Sequence, residues 1–220
     1  MLYSFGGDLH VTLTKLIGST ELPTATQQKL RQAHPSESMF TVFFGLNGSE
    51  RLHQELQRFQ ESHVVYTCKD GNYIKLVLLN QEDSQAAPES KYALMISMLS
   101  PYKEWLEEKT DKVAYIKKKR SFTEEIITRA EEFLPSLRDH IEVQESASPL
   151  TYERYTSNWQ GGTSGWSWDP RFAPRFNYPK DIPIKNLSMV GHYVSNPGGI
   201  PAAMITAWYI VKSMMNKASC

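Results

Sequence analysis

Short, dense apolar runs separated by polar turns fill the first hundred residues: Met39 to Leu46 (MFTVFFGL), Val64 to Cys68 (VVYTC), Tyr73 to Leu79 (YIKLVLL) and Tyr92 to Leu99 (YALMISML). Their length and their β-branched and aromatic content predict strands of a twisted sheet, buried on at least one face. Between them, Thr24 to Gln32 follows Pro23 and reads as a short helix, as does Ser49 to Gln57, where the Ser49 hydroxyl suits the first-turn amides. Asn80 to Ser90 is a polar loop. From Asp111 to about Leu137 the period lengthens, and Phe122, Ile126, Ile127, Ala130, Phe133, Leu134 and Leu137 fall on one helical face. Pro135 marks the expected end of that helix. His140 to Ala147 begins with alternation and reads as a strand. After Pro149 the pattern dissolves into a long segment rich in glycine, proline and tryptophan, a kind of loop that commonly serves function or covers something. Leu187 to Val190 is a short strand, a Pro-Gly-Gly turn follows, and Ile200 to Met215 is a strongly apolar helix. The expected fold class is mixed α/β: a twisted mixed sheet flanked by helices over residues 1–148, then a second region over 149–220.

Composition narrows the function. Among 220 residues, 24 Lys and Arg balance 24 Asp and Glu, so the surplus of positive charge that drives general nucleic-acid binding is absent. Two cysteines, Cys68 and Cys220, build neither a disulfide framework nor a zinc ribbon, and a reducing, cytoplasmic setting is expected. MLYSFGGDLH lacks the basic and apolar regions of a signal peptide, and the longest apolar runs are too short to span a bilayer. Six histidines at 10, 34, 53, 63, 140 and 192 show no i, i+3 or i, i+4 pairing, so no metal site is expected.

The sharpest local feature is the closing strand, turn and helix, NLSMVGHYVSNPGGIPAAMITAWYIV. Gly191 lets another group approach the strand end, Gly198 and Gly199 permit a tight turn, and Pro201 suits a first helical turn whose free amides attract anions or polarised oxygens. A plain glycine-rich turn feeding a core helix fits the same spacing.

Resemblance adds to this. Pro149 to Trp166 resembles the TPxTxExYTxNxxGxxxGW stretch of phytoene desaturase and carotenoid isomerase-like flavoproteins, matched by Pro149, Thr151, Glu153, Tyr155, Thr156, Asn158, Gly161, Gly165 and Trp166. Ile184 to Ala203 resembles that family's NLYxVGxxxxPGGGxP stretch, matched by Asn186, Leu187, Val190, Gly191, Gly198, Gly199 and Pro201. EEFLPSLRDHIEV and LTKLIG also look like family segments, so the likeness covers nearly the whole chain, as the carboxyl-terminal part of such a protein. The resemblance implies an FAD-dependent oxidoreductase that moves hydride between flavin and a carbon of a hydrophobic isoprenoid. It implies flavin contacts from Gly191, His192, Gly198, Gly199, Ile200 and Pro201. Tyr155 and Trp166, with Tyr152 and Trp159, suit an apolar substrate tunnel, or equally a packed core.

The chain departs from the family twice. It reads NPGG at Asn196 to Gly199 where PGGG is usual, and it has no GxGxxG turn for the ADP half of FAD. It is therefore expected to be incomplete alone, to work beside a separate dinucleotide-binding chain, or to self-associate through apolar surface. A non-catalytic interaction or lipid-binding module derived from the same fold is the alternative. The run Lys117 to Arg120 (KKKR) suits a solvated helix face or a peripheral contact with anionic lipid. A hydrolase triad of Ser164, Asp169 or Asp181, and His192 fails, because Gly165 directly follows Ser164 where the nucleophile elbow needs Gly-x-Ser-x-Gly.

Overall fold

The computed structural model describes residues 3–5, 8–59, 61–173, 182–184, 187–194 and 198–218. The Asn196-Pro197 departure, Asn186 and Asp181 lie outside them. The chain divides into two compact units: Met39–Leu150, and Met1–Ser38 together with Thr151–Cys220. One boundary falls beside the expected division at 148; the other, at residue 38, joins the first segment to the closing one.

The Met39–Leu150 unit is one five-stranded antiparallel sheet, formed by β2 (Met39–Asn47), β3 (His63–Thr67), β4 (Tyr73–Leu78), β5 (Lys91–Leu99) and β6 (Ile141–Ala147) in the order β3-β4-β5-β2-β6. Alternation sets which face is buried. Phe40, Val42, Phe44 and Leu46 of β2 lie on one face with Leu94, Ile96 and Met98 of β5 and Ile74, Leu76 and Leu78 of β4. Helix α3 (Glu50–Leu56) is capped as its sequence implies, the Ser49 hydroxyl accepting from the Leu52 amide at 3.1 Å. Helix α4 (Lys112–Ala130) starts at Asp111, whose carboxylate accepts from the amides of Val113 and Ala114, and lays Ile126, Ile127 and Ala130 on the core. Each fully buried Ile or Leu contributes about 1.5–3 kcal/mol. The helix ends at Ala130, earlier than Pro135; turns then carry Leu134 and Leu137 into the same core.

Half of the KKKR run is spent inside this unit. Lys118 donates to the Glu104 carbonyl and pairs with Glu108 at 3.0 Å, and Lys119 pairs with Glu145 at 3.4 Å. Ion pairs thus hold two of its cations against the protein.

In the flanking unit, β1 (Tyr3–Phe5) pairs in parallel with β7 (Leu187–Met189), in the register Tyr3↔Leu187, Ser4↔Ser188 and Phe5↔Met189. Helix α1 (Leu9–Val11) runs on through a π-helical turn, Thr12–Gly18; α2 (Thr24–Gln32) follows, and Leu9, Leu13, Leu22 and Leu30 join Trp166, Leu187, Met189 and Tyr193 in a second core. The motif segment, expected to be irregular throughout, begins as helix α5 (Pro149–Thr156). Helix α6 (Ile200–Ala218) closes the chain. Among the described residues no helix is long and apolar enough to cross a membrane.

Candidate functional site

Segment 158–173 looks like a loop by composition, yet it is laced onto residues 34–37. Ser36 N–H donates to the Gly165 carbonyl at 2.8 Å, Ser164 N–H to the Ser36 hydroxyl at 2.7 Å, and Ser167 N–H to the His34 carbonyl at 2.9 Å. Pro35 and Trp166 form an antiparallel bridge. Asn158 closes the first turn by donating to the Gly162 carbonyl at 2.9 Å, and a Cβ on Gly162 would meet Pro35 at 3.1 Å. Several residues that carry the family resemblance therefore act by holding backbone to backbone.

Trp166 belongs to this lacing. It is buried, its indole N–H donates to the Tyr193 carbonyl at 2.7 Å, and its ring meets the Tyr193 ring edge-on. Tyr155, by contrast, is 76% exposed, with the Arg154 guanidinium over its ring at 4.6 Å. The structure places one of the two expected substrate residues inside and the other at the surface.

The expected flavin residues come together around β7 and α6. Gly191 has φ 126°, a backbone open in practice to glycine, and its N–H donates to the Thr206 hydroxyl at 3.1 Å. That hydroxyl turns back to the Ala202 and Ala203 carbonyls, so the strand end is pinned to the second turn of α6. The neighbouring glycines then divide the work. A Cβ on Gly198 would lie 2.0 Å from the Ser164 carbonyl oxygen, so the 163–166 loop already occupies that space. Among the described residues, Gly199, at φ 95°, faces nothing nearer than the Pro201 ring at 3.9 Å, so none of them crowds it at the helix start. Ile200 is exposed beside it, and Pro201 occupies the first helical turn.

A group of polar side chains lies in the same unit around His192, and sequence reasoning had assigned no role to its other members, Asp8, His10 and Tyr193. Asp8 is buried, caps α1 by accepting from the Val11 amide at 2.9 Å, and accepts from the Trp159 amide at 2.6 Å. Burial lowers the pKa of His192, against the opposing charge of Asp8. Burial raises that of the Tyr193 phenol, and the Asp8 carboxylate pushes it further; the phenol oxygen reaches no hydrogen-bond geometry among the described residues. His10 stacks on the Trp159 ring at 3.8 Å, and burial lowers its pKa despite Asp8. The one local signal in sequence was Asp8 standing directly before an apolar turn, where an N-cap belongs. Among the described residues no cluster of three His, Cys, Asp or Glu is arranged to hold a metal ion.

No known family profile matches the chain. A solved oxidoreductase from Methanosarcina mazei superposes on 96% of the chain, and on 42% of its own, with a TM-score of 0.55 at 14% identity. The chain thus shares part of that protein's fold. In sequence, the chain is 26% identical over 197 residues to the all-trans-retinol 13,14-reductase of Danio rerio, an alignment covering 76% of the chain and 32% of that protein. It therefore spans about a third of its curated relative.

Proposed function

We propose that this chain is the carboxyl-terminal part of an FAD-dependent oxidoreductase that transfers hydride to or from a carbon of a hydrophobic isoprenoid. The carrying observation is the β7–α6 turn, where Gly191 and Gly199 take left-handed backbone and no described residue crowds Gly199 at the start of a 19-residue helix. The distant likeness to a retinol reductase supports the same substrate class, since retinol is a conjugated isoprenoid.

The residues present fit one end of a flavin. The first amides of an α-helix lack intrahelical partners, and its dipole favours negative charge, as on the N1–C2=O edge of a reduced ring. The amides of Gly199 and Ile200 would hold that edge, with Pro201, which has no N–H, fixing the first turn, Gly191 setting the strand end and His192 beside it. Gly198 supports the turn from behind rather than touching the ring, because Ser164 fills its space. When bound, the flavin supplies the hydride chemistry; the chain's part is to orient it and exclude water. Exposed Tyr155 is a candidate substrate contact, and buried Trp166 fixes the loop beside the turn.

The ADP half requires a glycine motif this sequence lacks, and α6 presents Ile200, Met204, Trp208, Tyr209 and Met215 outward. We infer that this face meets a chain carrying the dinucleotide fold. The same exposed face favours the second reading, a non-catalytic interaction or lipid-binding module.

Flavin fluorescence and visible absorption of the purified chain, titrated with riboflavin and with FAD, test the proposal. Saturable quenching by riboflavin, weakened in Gly199→Val, is the expected result. No saturable response to either flavin overturns it in favour of the non-catalytic module.

A further inference from the structure

The turn Leu9–Gly18 and helix α2 border a partly open cavity of about 140 Å³, lined by His10, Thr14, Gln27, Leu30 and Arg31. A space of that size holds several waters or one small polyatomic ion. Two of its polar side chains already spend their donors on backbone: Thr14 Oγ1 donates to the His10 carbonyl at 2.6 Å, and Gln27 Nε2 to the Leu22 carbonyl at 2.9 Å. Two others do not. The His10 Nδ1 is buried without a partner, and Arg31 forms no ion pair among the described residues.

The charges around the cavity favour an anion. Arg31 lines it, and Lys15, whose charge reaches His10, adds a second cation. Asp8 is the opposing carboxylate, but its two oxygens already accept main-chain N–H groups from Val11 and Trp159. Stacking on Trp159, at 3.8 Å and 6° between planes, fixes the plane of the His10 ring. A ring so held does not turn to find a partner in the protein.

We propose that this cavity binds a small oxyanion, a carboxylate or phosphate group, held between the His10 ring and the Arg31 guanidinium. A guanidinium offers paired N–H donors matched to two oxygens of either group, and neutral imidazole still donates through one nitrogen. Burial keeps His10 below its ordinary pKa of 6.5; an anion beside the ring reverses that direction. The site uses none of the residues given to the flavin, so it stands or falls apart from that reading.

The test is NMR of the full chain with ring-labelled histidine, the His10 signal assigned by its loss in His10→Gln. Sodium phosphate and sodium acetate are titrated against sodium chloride at matched ionic strength. The expected result is a saturable His10 shift with a midpoint on the order of 1 mM, an upward move of its pKa, and binding about tenfold weaker in Arg31→Gln. A response to phosphate alone or to acetate alone names the source and supports the site. No saturable response to either, an unmoved His10 pKa, or equal binding in a folded Arg31→Gln overturns it. Arg31 is exposed, and the His10 pKa itself is read in the unaltered chain, His10→Gln serving only to assign its signal.

Discussion

The carboxylate of Asp8 accepts the main-chain N–H of Trp159 at 2.6 Å, joining residues 151 positions apart. With its other oxygen on the Val11 amide, one buried side chain fastens the start of α1 to the motif segment.

Asp8→Ala removes both acceptors and leaves the Trp159 amide without its partner. A loss of about 1–3 kcal/mol is expected for the flanking unit. Asp8→Asn, which keeps one carbonyl acceptor, should lose less. Denaturation followed through tryptophan fluorescence measures it, because Trp159, Trp166, Trp168 and Trp208 all belong to that unit while Trp105 belongs to the sheet unit.

The adjacent glycines at 198 and 199 should respond differently to alanine. In Gly198→Ala the new methyl would meet the Ser164 carbonyl at 2.0 Å, so the turn or the 163–166 loop must move, at about 1–3 kcal/mol or more. In Gly199→Ala the methyl makes only an ordinary contact with the Pro201 ring at 3.9 Å among the described residues, so the cost is that of the left-handed backbone, about 1–2 kcal/mol. Paired thermal melts of the two variants check this, and an equal loss in both would contradict the geometry.

Acid should weaken the two units in different pH windows. His10 and His192 have pKa values lowered by burial, so the unfolded chain binds their protons more readily; that stability is present above about 6.5 and lost as pH falls through the folded values. In the sheet unit, burial works to raise the Glu55 pKa, but hydrogen bonds from the Ser136 amide and hydroxyl, with help from Arg51, hold it below 4.5. Its contribution is present above 4.5 and lost as pH falls through the folded value. Fluorescence of Trp105 in a variant whose other tryptophans are phenylalanine should therefore hold to lower pH than that of Trp166 in the matching variant.

The outer face of α6 should make the isolated chain associate. Trp208 is 56% exposed and Tyr209 61%, on a helix whose Ala202 and Thr206 turn inward. Sedimentation velocity should show concentration-dependent self-association, reduced when Met204, Trp208 and Tyr209 become Gln, Lys and Glu. A monodisperse parent monomer would count against an interaction role for this face.

Much of the sheet unit was readable because its signals are local. The alternation of Phe40, Val42, Phe44 and Leu46, the Ser49 cap and the spacing of Ile126, Ile127 and Ala130 each lie within one element, and each reappears in the structure. The flanking unit was less readable because its order comes from distant partners. β1 is three residues long and exists through Leu187–Met189, and segment 158–173 is ordered by residues 34–37. Gly198 and Gly199 read alike in sequence, but the fold separates Gly198, whose Cβ position the Ser164 carbonyl fills, from Gly199, which among the described residues meets only the Pro201 ring at 3.9 Å. His10 entered the sequence reading only as one of six histidines without metal-ligand spacing, since nothing in its neighbourhood announces a stack on Trp159.

The pairing of β1 with β7 also sets an order of events during synthesis. Residues 39–150 form a continuous stretch with its own core, free to fold as soon as it clears the ribosome, whereas Tyr3–Phe5 must wait for Leu187–Met189. At about 5–20 residues per second that wait lasts roughly ten seconds or more. During it residues 3–5 lack the partner that makes them a strand, so this interval is when a chaperone would have most to protect.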